Sequence, residues 1–539
     1  MSGVLAAGQR WLRRPALLDA ALLALPLLLF FSLAGYQLQL PGLHNDEAQE
    51  AGLQAWQLAA GTAIDAFRDT GLGARHFPLM VQDYIGAAFV YLAAPFAWLL
   101  GPGTLSVRVP ALLVGGATLL ATYGCLSSVA DKRTAFVGVL LLAVQPSFVF
   151  WSRQGVLIAS LTVLFTPLVL WAASRYSQTG GWQRAALLGL AAGLGIYAKL
   201  LFAWVLLGML CAVLLLNAAL LFKPARSFWP RPPHWQQAAA MLAGFATGCA
   251  PLLLYNLLSG GTFLSVQTNT AVSYYGVDNS ALLVNLATRL EQLRAVVGGR
   301  DHLWYLGGTL TNPLWDVALI LSAALISIQP ERGPRAIVLV MLFGFIATAF
   351  TVSGLFPHHL AIFAPIWVSI VALGLGRLLW RRDGLSVVAA LILVPLSLRD
   401  VQMDFGYHRM LTKSGGRGAH SDAIERLATA LTELNPPSVA ALDWGFAPQV
   451  RLLTAGRVHP QEIFGYEWKS TTEFEQRLRP LLAAPGTLFV FHVNDAVFDR
   501  RPAFEVLAKS LGYGWSRVQL IRRRDGFPIY EILQVQTPK

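Results

Sequence analysis

Three carboxylates, Asp46, Glu47 and Glu50, fall within the stretch Gly42-Leu-His-Asn-Asp-Glu-Ala-Gln-Glu50, just past an apolar run at residues 15 to 35. A carboxylate within reach of a hydroxyl acts as a general base. At the end of an apolar run it stands where a lipid headgroup could meet a water-soluble group. The same residues could also solvate a loop or cap a short helix, so the rest of the chain must decide. Cations to match them sit in or beside apolar runs: Arg108, Arg153 and Lys199, with a His358-His359 pair further on. A cation there is expensive and usually has a partner or a task, although Lys199 could snorkel and Arg153 could flank a span. Asp301 and His302 could meet a substrate or solvate their loop, and the two histidines could form a polar turn.

The elements that position these groups are set by composition. Apolar residues make up 55% of the chain and charged ones 13%, with a mean hydropathy of +0.53, against roughly a quarter charged in ordinary soluble domains. An integral membrane protein is implied. About 20 apolar residues rise about 30 Å as a helix and cross the hydrocarbon with their backbone hydrogen bonds satisfied internally. The net charge of +12 does not point to nucleic acid, because much of the excess lies in short connections between apolar runs, where it reports topology. Cys125, Cys211 and Cys249 lie far apart in or beside the runs, which implies neither a CxxC metal pair nor a disulfide framework.

In order, the runs lie at about 15–35, 107–129, 134–151, 155–174, 184–198, 201–222, 237–258, 313–329, 335–354, 359–379 and 384–398, about eleven transmembrane helices. The first, behind Arg10, Arg13 and Arg14, has the length of an uncleaved anchor. The run at 84–100, between Pro78 and Gly101-Pro102-Gly103, reads as a juxtamembrane or re-entrant helix. Left uncrossed, it leaves Lys132 and Arg133, Arg175 and Arg184, Lys223, Arg226 and Arg231, Arg332 and Arg335, and Arg377, Arg381 and Arg382 all cytoplasmic. Residues 36–106 and 259–312 then form two large extracytoplasmic loops, the first with a short surface helix at 45–60 and the second with an amphipathic stretch at 281–297.

Residues 1–399 form the membrane domain, and 400–539 read as a soluble, extracytoplasmic α/β domain. Its expected pieces are a helix from Ser421 or Asp422 to about Leu434, buried strands at 438–443 and 487–493, and a capping box at Ser470 to Glu473. A helix from Pro502 and a hairpin through Asp525-Gly526 complete it.

His44-Asn-Asp-Glu-Ala48, His76-Phe-Pro-Leu79, Leu105-Ser-Val-Arg-Val-Pro110, Trp151-Ser-Arg153, Tyr-Ala-Lys199 and Pro357-His-His-Leu360 before Pro365 occur in this order. In these pieces, over roughly residues 10 to 400, the chain resembles the GT-C glycosyltransferases. It is most similar to the family 39 group of protein O-mannosyltransferases and bacterial aminoarabinose and other polyprenyl-phosphate-sugar transferases. Two departures stand out: Arg153 is followed by Gln154 where the family often has an acidic residue nearby, and the family's Pro-Pro is Phe77-Pro78. Asp443-Trp-Gly445 faintly resembles the oligosaccharyltransferase signature but follows an expected strand and reads as its end turn.

The resemblance implies an inverting transfer from a polyprenyl-phosphate sugar to a hydroxyl of a glycan, lipid or protein, at the outer face of the plasma (inner) membrane. It implies Asp46 as the base, with Glu47 as its partner. The donor phosphate and substrates would be met by Arg108, Arg153, Lys199, His359 and His76, with Asp301 and His302 as acceptor contacts. No metal is demanded, because His44, Asp46 and Glu50 lack a diagnostic ligand spacing. Gly-rich phosphate loops are absent from the sequence, which argues against a nucleotide-sugar donor. A lipid-sugar transporter or flippase would also carry many spans, but transporters place polar groups at mid-membrane, whereas these cluster at one face. An oligosaccharide transferase or ligase is the nearer alternative.

Overall fold

The computed structural model describes the 539-residue chain except residues 1–14, 65–70, 73–76, 155–158, 222–234, 301–309, 419, 468–469 and 537–539. His76, Asp301 and His302 therefore lie outside the described residues. A helix or a bent helix occupies each of the eleven expected apolar runs. Among the described residues four helices are long and apolar enough to cross a membrane: Thr104–Val129, Leu200–Ala218, Pro357–Trp380 and Gly384–Ser414. Two bent pairs pass the same test together, each with a 66° kink: Lys132–Val144 with Pro146–Ser152, and Trp235–Gly248 with Ala250–Ser259.

The expected single run at 134–151 is broken because Pro146 cannot donate a backbone N–H and disfavours helix at Gln145. Gln145 is extended (ψ 120°), and its side chain accepts from Phe148 N at 2.7 Å to start the second helix. The helix Ala88–Leu100 has 13 residues, a rise of about 20 Å at 1.5 Å per residue, short of the hydrocarbon thickness.

With no water to expel between helices in a membrane, close packing of small residues holds them together. The helices Trp182–Ala198 and Trp235–Gly248 meet through Gly189 and Gly193 on one and Gly244 and Gly248 on the other. A methyl group at Gly189 would stand 2.0 Å from Met241 O, and one at Gly244 2.1 Å from Ala186 O. Side chains there would force the backbones apart, at about 1–3 kcal/mol for each overpacked site.

The helix Gly384–Ser414 continues unbroken through residue 399, with Pro395 inside it, and carries the chain from the membrane region into the C-terminal domain. That domain is a five-stranded sheet in the order Gly514–Arg522, Pro528–Gln536, Leu488–His492, Val439–Ala441, Pro460–Glu462. The first three strands are antiparallel neighbours; Val439–Ala441 runs parallel to both of its partners. The expected helix at 421–434 is Ala423–Leu434, ended by Asn435 in the left-handed region (φ 42°). The capping box is not formed: the helix begins at Thr472, Ser470 Oγ accepts from Thr472 N at 3.2 Å, and Glu473 turns outward to Arg477.

One feature of the packing governs the site. Leu43, Ala48, Ala51 and Val107 share a hydrophobic core with Ile424, Leu427, Leu431, Val450 and Leu452 of the C-terminal domain. The acidic stretch thus packs its apolar face into the domain four hundred residues downstream. Gly42 lies so close that a methyl group on it would be 2.0 Å from Ser421 O.

Candidate active site

The acidic stretch is a helical segment in three parts: Asn45–Glu47, a π-helical turn Ala48–Gly52, and Leu53–Ala59. His44 caps it. Its Nδ1 accepts from Asp46 N at 3.0 Å, while Glu47 accepts from His44 N at 2.9 Å, so the cap and the third residue satisfy each other's free backbone donors. Successive helical residues point about 100° apart, so Asp46 and Glu47, though adjacent, face different ways.

Glu47 faces inward and is fully buried. Arg108, also fully buried, binds it with two hydrogen bonds: Nε to Oε1 at 2.9 Å and Nη2 to Oε2 at 2.7 Å. The remaining guanidinium donors go to backbone carbonyls: Nη1 to Leu38 at 2.9 Å and to Pro41 at 2.7 Å, and Nη2 to Gly42 at 3.1 Å. An arginine has five N–H groups, and all five are spent. Arg108 and Glu47 thus hold the loop to the helix Thr104–Val129.

Asp46 and Glu50, one turn apart, face the opposite side and line a cavity of about 1200 Å³. Its walls also include His44, Gln82, Tyr84, Lys199, His358, His359 and, from the C-terminal domain, His420, Trp444, Tyr466 and Phe498. The Asp46 side chain is 30% exposed, with its carboxylate 3.7 Å from His44 Nδ1. Glu50 is more enclosed and accepts a hydrogen bond from Gln82 Nε2.

Lys199 reaches the cavity because the helix Trp182–Ala198 ends at it in extended conformation. The hairpin Met80–Gln82/Ile85–Gly86 binds that turn: Ile85 bridges to Lys199, and Leu200 N donates to Tyr84 O at 3.0 Å. The Lys199 ammonium lies 5.7 Å from the centre of the Tyr84 ring.

Burial dominates the electrostatics. Desolvation, reinforced by the Asp46 carboxylate, raises Glu50 to about 8 against the pull of Lys199 and Gln82. Desolvation also lowers Lys199 to about 8, against the pull of Glu50 and Asp46. At neutral pH the pair is a protonated Glu50 beside a charged Lys199. As pH rises through about 8, both lose a proton and the net charge of the pair goes from +1 to −1.

Of the residues expected from the sequence, the cavity gathers Asp46, Lys199 and His359. His359 takes a hydrogen bond from Phe356 N on its Nδ1 at 3.0 Å. Glu47, Arg108 and Arg153 are not among its lining residues. Arg153 is buried, donates to Gln37 O and lies 5.6 Å over the Phe150 ring. Glu47, expected as the partner of Asp46, and Arg108, expected as a phosphate contact, are hydrogen-bonded to each other away from the cavity. Glu50, one of the three carboxylates of the acidic stretch but assigned no role from the sequence, joins Asp46 on the cavity by its spacing of four. Sequence reasoning passed over the whole wall contributed by the C-terminal domain.

Two outcomes are expected. Arg108→Met should cost about 3–5 kcal/mol by leaving Glu47 buried and unpaired, seen as a large drop in thermal unfolding temperature in detergent, whereas Asp46→Asn should leave that temperature nearly unchanged. Equal effects would contradict the division of labour. Binding of a polyprenyl phosphate to the purified protein should weaken at least about tenfold from pH 7 to pH 9 as the pair loses positive charge. Lys199→Arg, whose guanidinium stays charged, should show a smaller loss; a flat wild-type profile would remove the pair from anion binding.

Residues 87–249 match the family described as dolichyl-phosphate-mannose-protein mannosyltransferase. No curated protein matches the chain in sequence. Among solved structures, the chain is similar in fold to ArnT from Cupriavidus metallidurans bound to undecaprenyl phosphate. The TM-score is 0.60 at 12% identity, over 95% of this chain and 97% of that one. It is also similar to the Archaeoglobus fulgidus oligosaccharyltransferase in its apo form, with a TM-score of 0.51 at 14% identity over 89% and 70% of the two chains. AglB from the same organism, in complex with an inhibitory peptide and a dolichol-phosphate, gives 0.51 at 14% identity over 94% and 73%. The matched segment holds Arg108, Arg153 and Lys199, and over nearly its whole length the chain is similar in fold to ArnT.

Proposed function

We propose that the chain moves a sugar from a polyprenyl-phosphate donor to a hydroxyl acceptor, with inversion, in the cavity beneath the C-terminal domain. The observation that carries this reading is the meeting of Asp46, Glu50 and Lys199 on one cavity. Asp46 is the base. Glu50 holds its proton up to about pH 8 and so does not take another at neutrality, whereas Asp46 is part exposed and capped in place by His44.

The acceptor hydroxyl gives its proton to Asp46, its oxygen attacks the anomeric carbon, and the bond from that carbon to the phosphate oxygen breaks. The departing polyprenyl phosphate carries the negative charge toward Lys199, with His359 beside it, where a fixed cation in a poorly hydrated site stabilises it. Attack opposite the leaving group inverts the anomeric centre. Glu50, held by Gln82, keeps its proton at neutrality and so does not cancel the charge of Lys199. That ArnT is bound to undecaprenyl phosphate supports the lipid class of the donor.

Purified Asp46→Asn should still bind polyprenyl phosphate while turnover with a polyprenyl-phosphate sugar falls about 10²-fold to 10⁴-fold, the range for a lost general base. Near-normal turnover would end the assignment.

The same reading places the cavity and residues 400–539 on the extracytoplasmic face of the plasma membrane, supported by the basic residues of the opposite connections. In intact cells, with the native cysteines removed, an impermeant thiol reagent should label Lys509→Cys and not Arg133→Cys. The reverse pattern would invert the topology.

A further inference from the structure

The charged groups of the cavity come almost entirely from the membrane region, and the C-terminal wall is of another kind. Beyond His420, which stacks on His44, Trp444, Tyr466, Val497 and Phe498 present three aromatic side chains and one aliphatic one, none of them charged. Facing the same space are Tyr274, Tyr275 and Phe356 from the outer connections. Tyr275 lies within electrostatic reach of Asp46 and Glu50, and Tyr466 within reach of Tyr274 and Tyr275, so the aromatic lining runs from the carboxylates to the C-terminal domain. Phe498 is packed against Phe464, but the tyrosines are open: Tyr274 is 70% exposed, Tyr275 59% and Tyr466 50%.

The wall is held by buried charges. Asp443 accepts from Trp444 N at 2.8 Å, Phe498 N at 2.7 Å and Val497 N at 3.1 Å, and its Oδ2 is 2.7 Å from His492 Nδ1. Arg500 gathers the carbonyls of Phe464, Gly465, Glu467 and Ser470 around Tyr466, and its guanidinium lies 5.4 Å from the Phe498 ring. Burying a charge is costly unless it is fully hydrogen-bonded. Here Asp443 and Arg500 are both spent on fixing the backbone that carries the cavity-lining side chains.

From this wall, and resting on the transfer reaction proposed above, we infer that the acceptor is a saccharide whose ring is held between the C-terminal aromatics and the tyrosines of the outer connections. A sugar ring has an apolar C–H face that lies on an aromatic face and a rim of hydroxyls that bonds to tyrosine O–H and indole N–H, the two properties these side chains combine. A phosphorylated or acidic group would find no cation on this wall. An acyl chain would strip water from the tyrosine hydroxyls without returning a hydrogen bond. A peptide acceptor would make use of the aromatic faces but leaves the uncharged rings and tips without a matching rim. Held there, a saccharide presents a hydroxyl to Asp46.

The test uses the full-length protein in nanodiscs, fluorescently labelled, on an array of neutral oligosaccharides and serine- and threonine-containing peptides, with undecaprenyl phosphate binding measured separately. Wild type should retain one or more oligosaccharides, and Trp444→Ala and Tyr466→Ala should each weaken that retention about tenfold or more. Their undecaprenyl phosphate affinity and unfolding temperature should stay at wild-type values. Retention of peptides alone, no oligosaccharide retained by wild type, or undiminished retention by both variants would overturn the saccharide assignment while leaving the donor reading intact. Loss of undecaprenyl phosphate binding by wild type would strike the donor reading instead.

Discussion

The structure depends on a buried ion pair. Glu47 and Arg108 are each fully buried, and neither could stay so alone, because an unpaired charge out of water costs several kcal/mol. The pair is complete only when the loop after the first helix curls over the helix Thr104–Val129 so that three of its carbonyls also meet the guanidinium. That constraint sets the direction of the short helix beginning at Asn45. With Glu47 turned inward, Asp46 and Glu50 must turn the other way.

The second support is the core that the acidic stretch shares with the C-terminal domain. Leu43, Ala48 and Ala51 would be exposed apolar surface if the domain were absent, and Ile424, Leu427 and Leu452 would lose part of their cover. The domain is therefore a structural part of the site. The π-helical turn at Ala48–Gly52 lies at this junction, where one residue more per turn re-aims side chains without ending the helix. His44 and His420 stack across the same junction, their rings 4.3 Å apart and 8° from parallel, so the cap that orients Asp46 is itself packed against the domain.

Charge and aromatic surface are then segregated within one cavity. The membrane side supplies Asp46, Glu50, Lys199 and the histidine pair, in surroundings dry enough to bring carboxyl and ammonium to about the same pKa. The C-terminal side supplies rings and neutral tips. Such a division suits a reaction in which a phosphate must leave from one end and a neutral hydroxyl must arrive at the other.

The sequence by itself determined what depends on short runs of residues. Transfer of an apolar run from water is a local sum, so a helix falls in every expected apolar run, and short continuous apolar runs placed the buried strands around Val439–Ala441 and Leu488–His492. The acidic stretch at the end of the first run was legible for the same reason, as was Lys199 as a cation beside a span. Breaks such as Gln145-Pro146 were written in the sequence as a proline and overridden by the continuous hydropathy around it. Only the tertiary structure decided which carboxylates face the cavity and which is buried, since adjacent residues carry no label for the side they face. The fate of Arg108 turned on carbonyls and a carboxylate some sixty residues away, and Trp444 is a strand-end residue until the domain is docked over residues 42–59. Desolvation, which shifts the protonation of Glu50 and Lys199, is a property of the assembled cavity and of no segment that forms it.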